Sequence, residues 1–223
     1  MKFILDGKET ELKISHVVNA GYAGSDQSTV QAHIRELAAI GVKGPERTPT
    51  FYPVPLLQFT QQEQLQVGHA QTSAEVEYVF LQVEGKRYLG IGSDHSDRAL
   101  ETYSVNAAKQ MCPDIIGEEI WDYDKLRDHW SSLALRCEVL VEGSWCTYQQ
   151  SPITALLTPE ELLELGAAVM PDKREGLALF SGTIPLSAEI RYATSWRVSL
   201  HDAMTDKTLT KEYHIEVLPD CIE

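Results

Sequence analysis

Glu75 and Glu77 stand one residue apart in residues 74–83, a run that otherwise reads as a buried β-strand. Side chains alternate across a strand, so both carboxylates point to the same face. That face continues with Val79, Leu81 and Val83, while the other carries Val76, Tyr78 and Phe80, so the strand is expected to be covered on both sides. Buried carboxylates without a partner are costly, and two like charges side by side are worse. A third carboxylate, Asp94, follows in the loop-like run Gly92-Ser93-Asp94-His95-Ser96. A hard divalent cation held by Glu75, Glu77 and Asp94 would meet the electrostatic demand. Oxygen donors of this kind suit Mg or Mn, with Ca as a further option. The plainer reading is an edge strand with solvated glutamates, and an Asp94 that caps the next helix.

These residues need a scaffold, and the pattern around them is strand-rich. Residues 1–18 read as a hairpin that turns at Asp6-Gly7 and returns over residues 12–18. A helix capped by Ser28 is expected next, with Val30, Ile34, Leu37 and Ala38 as its apolar stripe and Gly41 at its end. Four prolines within residues 43–55 require an extended connection. The strand over residues 74–83 pairs with residues 87–92 through Glu84-Gly85-Lys86, and helices are expected over residues 97–109 and 123–133. Residues 135–141 form a strand, Thr158-Pro159-Glu160-Glu161 starts a helix reaching about Val169, and residues 195–201 and 208–217 make a hairpin. The simplest account is one α+β domain over residues 1–223 with a strand majority.

The bulk properties exclude several classes. A net charge of −14 argues against a grip on phosphate backbones, so nucleic acid is not an expected partner. No apolar run approaches the roughly 20 residues of a membrane span, and Met1-Lys2-Phe3-Ile4-Leu5-Asp6 turns polar too soon for a signal peptide. The four cysteines, at 112, 137, 146 and 221, lack Cys-x-x-Cys spacing and read as free thiols in a reducing cytoplasm. His69 and His129 show no sequence partner and read as surface residues.

Several segments together, in order, resemble the fumarylacetoacetate hydrolase superfamily. Glu75-Val76-Glu77 resembles its Glu-x-Glu metal pair, and Ser93-Asp94-His95-Ser96-Asp97-Arg98 resembles its Asn-Asp-Val-Ser/Thr-x-Arg motif. Ala108-Lys109-Gln110-Met111-Cys112-Pro113 is similar to the segment bearing the substrate-facing lysine, and Ser181-Gly182-Thr183-Ile184-Pro185 to the late Thr-Gly-Thr-Pro turn. Upstream, Gly21-Tyr22 and Ala32-His33-Ile34-Arg35-Glu36 resemble the Arg-Asn-Tyr and His-x-x-Glu elements. Ser93 in place of asparagine and Ile184 in place of proline mark a divergent branch, similar to the bacterial domain of unknown function 2848.

The resemblance implies a mixed β-sandwich or β-roll with short flanking helices. Residues 1–60 would supply a hairpin, a lid helix and a connector, and residues 61–223 a metal-binding β core. It implies metal ligation by Glu75, Glu77 and Asp94, and substrate contacts from Gly182, Thr183 and Gln149. Lys109 would stabilise developing negative charge, and a His33–Glu36 dyad, three residues apart on one helix face, would act as base. The implied partner is a small 2-oxo acid or 1,3-dicarbonyl compound, cleaved at a C–C bond as in an acylpyruvate, by a cytoplasmic homodimer. Decarboxylation, hydration and isomerisation on the same fold, or metal and oxo-acid binding without turnover, are the competing functions.

Overall fold

A computed structural model describes residues 1–39, 44–171, 175–187 and 189–219, with the helical backbone alone for residues 32, 33 and 36–39. The chain opens with a hairpin of β1 (Lys2–Leu5) and β2 (Lys8–Glu11). It continues through β3 (His16–Gly21), α1 (Gln27–Ala39), β4 (Thr50–Val54), β5 (Phe59–Thr60), β6 (Gln64–Val67) and β7 (Thr72–Ser73). The central hairpin, β8 (Val76–Val83) and β9 (Lys86–Asp94), leads into β10 (Ser96–Asp97). Next come α2 (Arg98–Glu101), α3 (Val105–Met111), β11 (Asp114–Ile116), β12 (Glu119–Asp122) and α4 (Tyr123–Leu126). The last third holds β13 (Leu133–Val141), β14 (Ser144–Pro152), α5 (Pro159–Leu165), β15 (Leu177–Phe180), β16 (Ser195–Asp202) and β17 (Lys207–Val217).

Two sheets face each other across the core. The larger runs β2-β1-β12-β9-β8-β15-β3-β4, with β11 bonded to β9 and β5 to β11; the smaller runs β14-β13-β16-β17-β6. Strands thus dominate and the helices are short, as expected for the α+β class. β8 sits at the centre because both of its faces are apolar. Its even residues Val76, Tyr78 and Phe80 pack with Leu135, Val139, Trp196 and Val198 of the smaller sheet. Val79, Leu81 and Val83 pack on the opposite side with Phe3, Phe59 and Phe180. Glu77 shares this second parity while being wholly buried. No described helix is long and apolar enough to cross a membrane.

Several local expectations are corrected. The two-residue turn at Asp6-Gly7, with both φ angles positive, sends the chain back at Lys8, so the return strand is β2 and residues 16–21 form a separate strand paired with β4 and β15. The side chain closing the start of α1 is that of Asp26, which accepts from the Ser28 N–H and hydroxyl and the Thr29 hydroxyl. Leu37, Ala38 and Gly41, expected in and after this helix, lie outside the described side chains. The helix expected over residues 97–109 is split, since Ser104 caps a second start at α3. That expected over residues 123–133 ends as α4 and continues as a 3-10 turn. The Thr158 capping box is present as read, though α5 itself stops at Leu165. Cys112, Cys137 and Cys146 are free, and Cys221 lies outside the described residues.

His129 is not a lone surface residue; its Nε2 lies 3.2 Å from Asp202 Oδ2. Asp202 also accepts from the Ser132 hydroxyl at 2.5 Å, the Met204 N–H at 3.0 Å and the Thr205 hydroxyl at 2.7 Å, tying the β16–β17 turn to the chain before β13. Burial acts against its ionisation, but these donors hold the carboxyl at about 2 against an ordinary 3.8. Asp202→Ala is therefore expected to lower the unfolding free energy by about 3 kcal/mol at neutral pH. Because the folded state holds the depressed value, the difference should be full above pH 4 and fade as the pH falls toward 2. Denaturant melts of both proteins across that window check it.

Candidate metal centre

The centre forms where the β8–β9 hairpin opens. Glu75 immediately precedes β8, Glu77 is its second residue, and Asp94 ends β9; the Asp94 N–H donates to the Glu75 carbonyl at 3.2 Å, closing the pair. Glu75, Glu77 and Asp94 each offer one carboxylate oxygen, and the three lie within 4.8 Å of one another. Glu77 and Asp94 are wholly buried. The residues that the sequence pairs as ligands therefore converge.

The charges around them are unequal. Lys109, in the last turn of α3 and 4 % exposed, donates to Asp94 Oδ2 and to Glu75 Oε2, the latter at 3.3 Å. Arg98 Nη1 donates to Glu75 Oε1 at 2.8 Å and to both oxygens of Glu101 at 3.0 and 3.2 Å. Burial opposes the ionisation of Glu75, yet Arg98 and Lys109 hold it at about 2. Glu77 is pushed well up, by burial and then by the charges of Asp94 and Glu75. Its Oε2 accepts from the Gly182 N–H at 2.8 Å, and its Oε1 has no partner among the described residues. Asp94 is raised by burial and by Glu75, against the pull of Lys109.

With all three ionised, as ligation requires, the carboxylates of Glu75, Glu77 and Asp94 and the Lys109 ammonium would sum to two negative charges, which one divalent ion balances. The donor set and the unpartnered Glu77 Oε1 fit a hard cation, and no described cysteine or histidine belongs to the cluster.

The turn after β15 holds Glu77 in place. Gly182 has φ +80°, and a Cβ there would lie 3.1 Å from Ala23 Cβ and 3.2 Å from the Ala20 carbonyl, so only glycine fits and presents its N–H to Glu77. Gln149, wholly buried, accepts from the Val76 N–H at 3.0 Å. Its Nε2 donates to the Thr183 hydroxyl at 2.8 Å and to the Ile184 carbonyl at 2.6 Å. Thr183 in turn donates to the Val76 carbonyl at 3.0 Å. Gly182, Thr183 and Gln149, expected to contact substrate, cluster at the start of β8, with the side-chain donors of Thr183 and Gln149 directed into the protein. His33 and Glu36 belong to α1, and their side chains lie outside the described residues.

Behind the ligands runs a chain of buried groups. The Glu75 N–H donates to Ser93 Oγ at 3.1 Å, and the Tyr213 hydroxyl donates to the same oxygen at 3.0 Å. His95 Nδ1 lies 3.1 Å from the Tyr213 hydroxyl and Nε2 lies 2.9 Å from Thr72 Oγ1. Since the phenol gives its proton to Ser93, the network assigns the imidazole proton to Nδ1, and Thr72 donates to Nε2. Burial, then the charge of Arg98, lowers His95 to about 3, so the ring is neutral. Ser93 had drawn notice only as a departure from asparagine; Tyr213 reaches it from the other sheet, 120 residues away, with no local signal.

Asn19 and Asp114 are also buried here. Asn19 Nδ2 donates to Asp114 Oδ1 at 2.9 Å, and Asp114 lies opposite Asp94 in the β11–β9 register. An acid between Pro113 and Ile115-Ile116 was the available sign. His69, expected without a partner, instead lies 2.6 Å from Asp97 through Nδ1.

A small cavity of about 200 Å³ opens beside the centre, bounded by Tyr22, Tyr52 and Glu101. A larger depression, about 370 Å³ and lined by Glu63, Glu118 and Lys211, lies elsewhere; neither space is lined by any of the three carboxylates.

Comparison with known proteins adds a family and a fold. The family model described as protein of unknown function (DUF2848) matches residues 20–213. No curated protein sequence matches the chain. Among solved structures, a candidate fumarylacetoacetate isomerase/hydrolase from Oleispira antarctica aligns with TM-score 0.65 at 18% identity, over 97% of this chain and 100% of its own. A 2-keto-3-deoxy-D-arabinonate dehydratase complexed with magnesium and 2,5-dioxopentanoate aligns with TM-score 0.63 at 15% identity, over 93% of this chain and 75% of its own. Maleylpyruvate hydrolase from Sphingobium sp. SYK-6 gives TM-score 0.60 at 13% identity, over 92% and 72%.

Three outcomes are expected from this geometry. Adding Mg or Mn at about a hundred times its dissociation constant should stabilise the fold by about 2.7 kcal/mol. Glu77→Gln should abolish that increment while leaving the metal-free protein as stable or more so, because it removes a like charge and keeps the acceptor for Gly182; thermal melts with and without metal check both. Tyr213→Phe should weaken metal binding by about tenfold or more, since Ser93 loses the phenol that orients it under Glu75; calorimetric titration with Mn reads this.

Proposed function

Because this chain belongs to the DUF2848 family of proteins of unknown function and has the fold of fumarylacetoacetate hydrolases, we propose that it is a divalent-metal-dependent enzyme acting on a small 2-oxo acid or 1,3-dicarbonyl compound. The leading reaction is hydrolysis of a C–C bond in an acylpyruvate-like substrate. One observation carries this reading: three convergent carboxylates, two of them wholly buried, whose charge the neighbouring lysine and arginine do not neutralise.

Glu75, Glu77 and Asp94 would hold Mg or Mn. Such an ion, when bound, supplies Lewis acidity toward the adjacent oxygens of an oxo acid. Lys109, whose ammonium is held charged by the three carboxylates despite burial, places a fixed positive charge beside the substrate carboxylate and the developing enolate. Gly182, Thr183 and Gln149 keep the β8 end and the Glu77 carboxylate in register and form the wall of the substrate site. His33 takes a proton from water with Glu36 orienting its ring, the two being spaced for one face of α1. Apolar packing of β8 on both faces excludes water behind the centre, which strengthens each of these electrostatic contacts. Assembly as a homodimer completes the proposal.

A screen of acylpyruvates and simple oxo acids with Mg and with Mn tests it. Wild-type protein should turn over at least one acylpyruvate, and Asp94→Ala should lower that rate by about a hundredfold or more. Turnover untouched by Asp94→Ala would sink the metal assignment. Loss of CO2 or of water without C–C hydrolysis would reassign the reaction to a decarboxylase or dehydratase.

A further inference from the structure

The cavity beside the centre carries information about what occupies its far end. It is joined to the carboxylates through two contacts. Lys109 Nζ sits 5.8 Å from the centroid of the Tyr52 ring, and Arg98 bridges Glu75 to Glu101 through one guanidinium nitrogen. At about 200 Å³ it is smaller than the roughly 300–1,000 Å³ typical of ligand sites, so only a short molecule fits.

Glu101 carries the only acidic or basic side chain lining the cavity among the described residues apart from phenols; the rest are phenols, hydroxyl-bearing residues and apolar atoms, Tyr22, Tyr52, Thr102 and Ser104 among them. Among the described residues, the cations bonded to this wall or to the carboxylates behind it are already engaged, Lys109 by Asp94 and Glu75, and Arg98 by Glu75 and Glu101. An anion entering here would face a carboxylate whose guanidinium partner, Arg98, is shared with Glu75, with no further cation in the lining among the described residues. A neutral hydroxyl would instead find an acceptor, since each Glu101 oxygen keeps a lone pair beyond its bond to Arg98.

The backbone is shaped to keep this wall. Tyr22 is held at φ +55°, a region that residues with side chains adopt at a cost, and its hydroxyl makes no hydrogen bond among the described residues. Gly21 beside it leaves room for Tyr52, whose Cε2 would lie 2.9 Å from any Cβ added there. The turn thus brings the Tyr22 phenol to a cavity that also holds the Tyr52 ring and Glu101.

We propose that this cavity selects small 2-oxo acids whose far end is a neutral hydroxyl and rejects those that end in a second carboxylate, with Glu101 as the discriminating residue. The inference rests on the oxo-acid reading of the metal centre and names the substrate class for it.

The test is calorimetric binding to Mg-loaded protein at about pH 8, where carboxylates are ionised. The probes are pyruvate, 2-oxopentanoate, 5-hydroxy-2-oxopentanoate and 2-oxoglutarate. Pyruvate should bind and be lost on chelating the metal. Among the longer acids the hydroxylated one should bind tightest and 2-oxoglutarate weakest, about tenfold or more apart. Glu101→Gln should narrow that gap to about threefold or less, chiefly by tightening 2-oxoglutarate, with pyruvate unchanged. Equal or tighter binding of 2-oxoglutarate to the wild type overturns the selection while pyruvate still upholds the centre. An unchanged gap in a folded Glu101→Gln protein overturns the role of Glu101. Failure of pyruvate to bind overturns the underlying reading and the selection with it. Should Glu101→Gln not fold, the wild-type order alone decides.

Discussion

The structure turns on one electrostatic constraint: Glu75, Glu77 and Asp94 converge inside a β-sandwich with only part of their charge answered. Lys109 answers some of it, and Arg98 is shared with Glu101, so Glu77 is left with an oxygen that no described residue bonds. Much of the surrounding architecture exists to keep that arrangement from relaxing. β8 is packed on both faces and cannot rotate Glu77 out to solvent. Gly182 brings a backbone N–H to one oxygen, and Gln149 with Thr183 pins the turn that carries it. Ser93, Tyr213, His95 and Thr72 fix the backbone of Glu75 from behind.

A cluster so constrained is poorly suited to stabilise a fold by itself, because buried like charges oppose folding. Its persistence is understandable as preorganisation under the proposed metal-binding role: the candidate ligand oxygens are already fixed, so little ordering would remain to be done on binding an ion. The same logic accounts for the layout around it. The cation-bearing helix α3 approaches from one side, and the phenol-lined cavity opens beside Arg98 and Glu101, so a ligand spanning both would meet different chemistry at its two ends.

Much of this was legible in the residues. Glu75 and Glu77 announced themselves as acids in a strand whose alternation buries both faces, and the β8–β9 hairpin followed from the Glu84-Gly85 turn. Lys109 and the Gly182-Thr183 turn were found through resemblance, and both lie against the carboxylates. What escaped notice were groups whose meaning depends on sheet packing. Tyr213 looks like any strand tyrosine until β17 lies over β9, and Asn19 acquires a role only when β3 and β11 bring it against Asp114. The early hairpin was misread because hydrophobicity resumes at Leu12, whereas register is dictated by the tight turn at Asp6-Gly7. The single long helix over residues 97–109 was misread because no glycine or proline marks the break, which Ser104 imposes by capping.

The most direct test of the metal centre is anomalous diffraction from crystals grown with Mn. The account requires an anomalous peak bounded by Glu75, Glu77 and Asp94, with the Lys109 ammonium moved off Asp94. Crystals soaked in Mn that show no peak there, with Lys109 still bonded to Asp94 and Glu75, would contradict it.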